Sequence, residues 1–225
     1  AILRVGLIGT PYKVVAVETD EFLGAFFPPD TAPDEGVGLF AVNGEGWDRD
    51  GSNGGLEQAG FGFVTLMHEF GHGLGLAHPH DTGGNSTVMP GVSSPFFSFG
   101  VFNLNQGIYT TMSYNTGWQT QPGTEFGDPP AFVNTHASEG TPGAFDLAVL
   151  QRKYGGNPTR GAGNTTYTLP TLNQPGTFFA TIWDTRGIDT IAHNGSGGAI
   201  IDLTAATLDY SPTGGGVVSY VDGIF

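Results

Sequence analysis

The chain has 225 residues, of which 38 are glycine, 15 are proline and none is cysteine, and its formal net charge is -14. This length fits one large domain or two small ones. The absence of cysteine excludes disulfides and cysteine-based metal sites. Because the negative charge repels nucleic acid and anionic membrane surfaces, we expect neither nucleic-acid binding nor membrane insertion.

The first part of the chain alternates short apolar runs with loops. The runs predict strands at residues 2–3, 14–17 and 37–42, with a Pro/Asp-rich loop at 27–35. After a further loop rich in glycine and aspartate, we expect a helix that begins near Leu56 or Phe61 and ends at Leu74.

The second part changes from helix to short strands. Residues 80–132 are mostly loop, and 141–154 predict a helix that Gly155 ends. Strands separated by Gly/Asn/Pro turns are then expected at 165–169, 177–183, 199–203 and 217–221. This change predicts a boundary near Gly156, between domains at 1–155 and 156–225.

Residues 68–78 read H-E-F-G-H-G-L-G-L-A-H and contain three of the six histidines of the chain. On a helix, His68 and His72 share one face with Cβ atoms about 5–6 Å apart, so both can bind one zinc ion at ~2.0–2.1 Å. His78 cannot join them on a continuous helix, since ten residues would carry it roughly 15 Å along the axis. Gly75 can end the helix in a left-handed conformation at little steric cost. The spacing therefore predicts that His78 returns from the following loop as a third ligand.

Glu69 favours a hydrolase. Three histidines leave one zinc position for a water molecule, whose pKa the metal lowers towards ~7. Glu69 lies beside His68 on the same helix turn, where it can accept the proton of that water as a general base. The alternative is a purely structural zinc site, but a fourth protein ligand, commonly cysteine, more often closes such a site.

A second signal lies at residues 109–114, which read Y-T-T-M-S-Y. An extended zinc motif followed by a methionine in a tight turn marks the metzincins, in which Met112 would lie beneath the zinc site. With Pro79 directly after the third histidine and M-S-Y at 112–114, the sequence resembles the serralysins, which are bacterial secreted zinc endopeptidases. The resemblance implies that Tyr114 is a further, displaceable zinc ligand that helps to stabilise the oxyanion. Alone, Met112 and Tyr114 would be interpreted as ordinary core and half-buried residues.

The last third of the chain carries further matches. D-L-A-V-L-Q-R-K-Y-G at 146–155 is similar to the family's D-I-A-A-I-Q-x-x-Y-G helix, and W-D-T-R-G-I-D-T at 183–190 is similar to W-D-A-G-G-N-D-T, part of a calcium site. This sequence has Arg186 and Ile188 in place of Gly and Asn, and one extra residue near Arg160. A turn that merely contains two aspartates is the alternative. The resemblance implies calcium ligation by the side chains of Asp184 and Asp189 and by the carbonyl groups of Gly161, Gly163, Thr165 and Arg186.

The resemblance implies an α+β fold. A metzincin catalytic domain, with a twisted mixed sheet, an active-site helix and a C-terminal helix, would be followed by the first strands of an all-β domain. The family's calcium-binding β-roll repeats, G-G-x-G-x-D-x-U-x, are not found in the sequence. Only 67 residues precede His68, fewer than is usual in the family, so we expect a chain shortened at both ends.

The resemblance also implies polypeptide substrates that are cut internally with loose sequence preference. It implies secretion by a bacterial route that needs no signal peptide. It also allows a proteinaceous inhibitor as a partner. We further predict that residues 36–42 form a sheet edge that pairs with an extended substrate. His80, His136 and His193 are expected to be surface or core residues, with a supporting role near the zinc site left open for His80.

Two other functions stay open from the sequence. One is a catalytically silent, metal-binding relative that acts as a scaffold, which the presence of Glu69 and Tyr114 disfavours. The other is a calcium-dependent surface-layer or adhesion protein, which the acidic, glycine-rich composition suggests. That second function predicts repeats and does not account for the zinc motif.

Overall fold

A computed structural model describes residues 4–7, 10–29, 33–44, 46, 47, 55–123 and 135–224. The predicted strand at 2–3 and the part of the predicted loop at 124–132 lie outside these residues. Among the described residues, neither α-helix combines the length and the apolarity that a membrane crossing needs. The elements are β1 (Arg4–Leu7), β2 (Thr10–Val17), β3 (Gly24–Phe26), β4 (Val37–Ala41), α1 (Phe61–Gly73), α2 (Ala144–Tyr154), β5 (Thr166–Thr168), β6 (Thr190–Ala192), β7 (Ala199–Ile200) and β8 (Tyr220–Val221), with single 3₁₀ turns at Gly83–Asn85 and Val101–Asn103.

The first four strands form one mixed sheet in the order β1-β2-β4-β3. β2 is antiparallel to β1 and parallel to β4, and β3 is antiparallel to β4. The prediction that residues 36–42 form the sheet edge is therefore wrong, because β4 pairs on both sides; in the described part of the chain, β1 and β3 are the edge strands, and β3 is the one next to β4. The nearly continuous apolar run of β4 is typical of an interior strand, whereas the three residues of β3 give almost no signal in the sequence.

Helix α1 packs against β3 and β4 through aromatic side chains. The ring centroid of Phe70 lies 5.5 Å from that of Phe26 and 6.0 Å from that of Phe40. Glycine is required on both sides of the Phe26 ring, since a Cβ atom at Gly38 or Gly73 would approach it to 2.6 Å. The helix thus lies directly on the edge of the sheet, with little space between backbone and ring.

Helix α1 ends in a Schellman motif. Gly75 has a φ of 77°, its N–H donates to the carbonyl of His72 at 2.8 Å, and the N–H of Leu76 donates to the carbonyl of Gly71 at 2.9 Å. The predicted left-handed glycine stop is confirmed at Gly75. The chain beyond it turns back towards the helix.

Side chains of helix α2 form hydrogen bonds with the backbone at the end of α1. Helix α2 begins three residues later than the predicted 141 and ends at the predicted Tyr154, where Gly155 has a φ of 84°. The Nζ atom of Lys153 donates to the carbonyl of Gly75 at 2.7 Å, and the Tyr154 hydroxyl donates to the carbonyl of Leu74 at 3.0 Å. These bonds satisfy carbonyl groups that the end of a helix leaves without partners.

Residues 156–224 form two small sheets, with β5 parallel to β6 and β7 antiparallel to β8. The predicted strands at 165–169, 199–203 and 217–221 contain β5, β7 and β8, which are shorter, and β6 was not predicted. The predicted strand at 177–183 is wrong: within the described part of the chain, Phe179 forms an isolated bridge with Glu139. Residues 177–182 instead line a cavity of about 940 Å³. The domain boundary near Gly156 stays a prediction.

Candidate metal centre and active site

The three histidines of the zinc motif meet at one point. His68 and His72 lie on α1, and His78 lies on the loop that turns back after Gly75. The Nε2 atom of His78 is 3.1 Å from that of His68 and 2.9 Å from that of His72. Four bonds of ~2.0–2.1 Å in a tetrahedral arrangement would place ligand nitrogens roughly 3.3 Å apart, so these three fit a zinc ion.

The other ring nitrogen of each histidine has a hydrogen-bond acceptor. The Nδ1 atoms of His68, His72 and His78 lie 2.8 Å from the carbonyl of Thr111, 3.0 Å from the carbonyl of Leu76 and 2.8 Å from Oδ2 of Asp81. An Nδ1–H that donates outward fixes the tautomer in which Nε2 carries a lone pair. Three lone pairs that face one another form a group that could hold a metal ion.

Burial keeps the two histidines of α1 from being protonated readily. Burial, followed by the nearby His72, lowers the pKa of His68 from 6.5 to about 3. Burial also lowers the pKa of His72. Because His68 is held neutral, the donor set fits a metal ion bound by uncharged imidazoles.

Glu69 lies between the helix and the edge strand. Its side chain is buried, and burial raises its pKa from 4.5 to about 7 despite a hydrogen bond from the Phe26 backbone. A Cβ atom at Gly24 would approach Cγ of Glu69 to 2.6 Å, so β3 and Glu69 are in direct contact. A carboxyl with a pKa near neutrality can both accept and return a proton.

Tyr114 flanks the histidine cluster and is packed by aromatic rings. Its ring centroid lies 4.9 Å from that of His78, 5.6 Å from that of His68, 4.7 Å from that of His80 and 5.3 Å from that of Phe96. Burial raises the pKa of the Tyr114 hydroxyl above 10.0. The hydroxyl therefore stays protonated at neutral pH and can donate a hydrogen bond.

The turn around Met112 packs against α1. Met112 is 1% exposed, and a Cβ atom at Gly71 would approach its Sδ atom to 2.5 Å. The neighbouring carbonyl of Thr111 accepts the Nδ1–H of His68. Packing against Gly71 and the hydrogen bond to His68 thus connect this turn to α1 and to one of the two histidines that α1 carries.

Asp146 on α2 holds the same turn in place. Its Oδ2 atom accepts from the Thr111 N–H at 2.7 Å, the Thr111 hydroxyl at 3.0 Å and the Gly143 N–H at 2.9 Å. Its Oδ1 atom accepts from the Thr110 hydroxyl at 2.7 Å. The carboxyl is buried, and it positions the carbonyl on which His68 depends.

Two features of this site were not predicted from the sequence, and a third, the position of His80, was left open. Asp81 follows His78 by three residues, a spacing that could have indicated a carboxylate partner for a ligand. His80 stacks on His78 with ring centroids 4.8 Å apart, so it lies in the site rather than elsewhere on the surface or in the core. The contact of Glu69 with β3 depends on sheet order and has no local signal.

The predicted calcium segments lie beside each other. Parallel pairing of β5 with β6 places residues 161–165 against 184–189. Oδ1 of Asp189 accepts from the Thr165 N–H at 2.9 Å, and Oδ2 of Asp184 accepts from the Tyr167 hydroxyl at 2.7 Å. The carbonyl of Gly163 accepts from the Thr165 hydroxyl at 3.2 Å. Calcium ligation by Gly161, Gly163, Thr165, Asp184, Arg186 and Asp189 stays a prediction.

No protein-family model matches the chain. It is similar to the metallopeptidase AprA of Pseudomonas marginalis, with 30% identity over 73% of this chain and 34% of that relative. It is 27% identical to a serralysin of Proteus mirabilis, over 90% of this chain and 42% of the relative. It is 30% identical to serralysin C of Dickeya chrysanthemi, over 73% and 33%. These matches support a serralysin-like chain, which spans about a third to two fifths of the length of these relatives.

Proposed function

We propose that this chain carries the catalytic centre of a serralysin-like zinc endopeptidase. The observation that carries the proposal is the convergence of three Nε2 atoms whose rings each have an acceptor at Nδ1. The similarity to a metallopeptidase and to serralysins supports the same activity.

Each residue has a role in the proposed reaction. His68, His72 and His78 would hold the zinc ion, and Tyr114 would be a further, displaceable ligand. When bound, zinc supplies Lewis acidity, which lowers the pKa of a coordinated water towards ~7. Glu69 accepts the proton of the attacking water and returns it to the leaving amine. The protonated hydroxyl of Tyr114 donates a hydrogen bond to the developing oxyanion.

We propose that an extended polypeptide substrate pairs with the edge strand β3. Leu23 accepts from the N–H of Ala41, and Phe27 donates to the carbonyl of Val37, so the backbone groups of the intervening Gly24 face away from β4. An outward-facing edge next to Glu69 suits β-augmentation by a peptide. A compact globular protein should then be cleaved far more slowly than the same protein after denaturation, and equal rates would contradict this mode of binding.

The remaining proposals follow the serralysin-like relatives. We propose calcium binding between residues 161–165 and 184–189, regulation by a proteinaceous inhibitor, and secretion by a bacterial route without a signal peptide. Fractionation of bacteria that produce the protein tests the location. Activity confined to the cells, with none in the medium, would contradict secretion.

Casein zymography with and without o-phenanthroline tests the proposed activity. We expect cleavage that the chelator abolishes and added zinc restores. Glu69→Ala should abolish cleavage and retain zinc, whereas Glu57→Ala, which removes an exposed carboxylate shortly before the same helix, should retain both. Cleavage that survives chelation would refute a metallopeptidase, and an inactive zinc-loaded wild-type protein would indicate the silent metal-binding relative.

A further inference from the structure

The loop after the histidine cluster exposes three phenylalanines. Phe96, Phe97 and Phe102 are 52%, 67% and 55% exposed, although globular proteins usually bury side chains of this kind. The ring centroid of Phe96 lies 5.3 Å from that of Tyr114, within the range of aromatic contact. The loop therefore places apolar surface directly against a residue that flanks the proposed reacting centre.

Hydrogen bonds to buried side chains hold this loop. The N–H of Phe97 donates to Oδ1 of Asn115 at 2.7 Å. The Nδ2 atom of Asn115 donates to the carbonyl of Asn105 at 3.0 Å, and Nδ2 of Asn105 donates to the carbonyl of Ser98 at 2.7 Å. Asn105 and Asn115 are buried. Because Asn115 directly follows Tyr114 in the chain, the same anchor positions the loop and Tyr114.

The backbone at Phe97 is strained. Its φ of 57° is in the left-handed region, which bulky residues rarely adopt. Strain of this kind persists where the surroundings enforce it and clusters at functional sites. At Phe97 the ring stays largely exposed, so burial in a core does not offset the cost. The conformation instead keeps this ring in solvent, next in the chain to the Phe96 ring that contacts Tyr114.

We propose that Phe96 and Phe97 form a specificity subsite for a large apolar side chain of the polypeptide substrate, next to the cleaved bond. This inference rests on the proposed function, because it takes the histidine cluster as the reacting centre. β3 contacts Glu69 and Phe96 contacts Tyr114, so a peptide bound across the cluster reaches both. Burial of the exposed rings against an apolar side chain then favours binding of that side chain.

Paired peptides that differ only by Phe or Ser at each residue beside the cleaved bond test the subsite. We expect the zinc-loaded wild type to show kcat/KM at least about tenfold higher for Phe at one position. The double variant Phe96→Ser, Phe97→Asn should reduce this ratio to within about threefold of unity, and asparagine suits the left-handed backbone. Phe102→Asn, at an exposed site on the same loop whose φ of 54° is also left-handed, should keep the wild-type ratio. A ratio that survives in the double variant would overturn the subsite.

Equilibrium binding gives a readout that does not depend on turnover. Zinc-loaded Glu69→Ala should bind the Phe peptide more tightly than the Ser peptide, and adding the two loop substitutions should remove the difference. A wild type that cleaves casein without discriminating between the peptides would overturn the subsite alone. A wild type that cleaves neither would overturn the proposed function.

Co-sedimentation with phosphatidylcholine vesicles tests whether Phe96 and Phe97 bind a lipid surface instead of a substrate side chain. We expect no co-sedimentation of the wild type beyond that of the double variant. Vesicle binding that the double variant loses, with an unchanged peptide ratio, would assign the loop to a membrane and overturn the subsite.

Discussion

Replacing Asp146 with alanine tests whether α2 positions the metal ligand His68. The substitution removes the acceptor of two backbone donors, the N–H groups of Thr111 and Gly143, and of two threonine hydroxyls. The hydroxyls can rotate to other partners, but a buried N–H without an acceptor costs about 1–3 kcal/mol. Two such groups give a loss of about 4 kcal/mol in the free energy of unfolding. For a chain of this length, that loss lowers Tm by roughly 8–16 °C.

The zinc affinity of the same variant is the more specific measurement. When Thr111 shifts, its carbonyl no longer fixes the ring of His68, and loss of such a partner costs about 10–100-fold in metal affinity. Asp146→Asn is the matched control, because its amide oxygen can still accept from Thr111 and Gly143. We expect competition with a chromogenic chelator to show weak zinc binding in Asp146→Ala and nearly wild-type binding in Asp146→Asn. Wild-type zinc affinity and Tm in Asp146→Ala would refute this role.

Three further predictions concern packing, pH and calcium. Gly71→Ala should lower the free energy of unfolding in urea by about 1–3 kcal/mol through the clash with buried Met112, and a variant more stable than the wild type would contradict the packing. Burial raises the pKa of Glu139 from 4.5 to about 7. The native state therefore favours the protonated carboxyl. The stability that this preference contributes is fully present below pH 4.5 and is lost as the pH rises to about 7. Relative to Glu139→Gln, the wild type should lose about 3 kcal/mol over that range, whereas a constant difference would refute it. Calcium should raise the Tm of the wild type and of Asp209→Asn, but not that of Asp184→Asn; equal increases in all three would exclude the proposed calcium site.

Local geometry could be predicted from the sequence. The i, i+4 spacing of His68 and His72 determines their shared face, and a glycine at position 75 is suited to the left-handed stop that returns His78. Both features depend on residues within one or two helical turns. The short apolar runs predicted strands where β2 and β4 lie, whereas the mixed sheet was expected from the resemblance alone.

The features that sequence analysis missed depend on distant partners. Whether β3 or β4 forms the edge is decided by hydrogen bonds between strands, and the three residues Gly24–Phe26 give no alternating pattern to detect. The acceptor for His68 is a backbone carbonyl, and every residue has one, so the identity of Thr111 gives no indication of this role. In 177–183, apolar side chains predicted a strand, but residues 177–182 line a cavity instead.

Stoichiometric zinc reconstitution tests the central claim most directly. Metal-stripped wild-type protein, kept in constant calcium, is titrated with zinc while peptide cleavage is recorded. We expect no cleavage without zinc, a linear rise in the cleavage rate as zinc is added, and a plateau at one zinc ion per chain, with no rise in His72→Ala. Cleavage by the metal-free protein, or full activity in His72→Ala, would contradict a reaction centred on His68, His72 and His78.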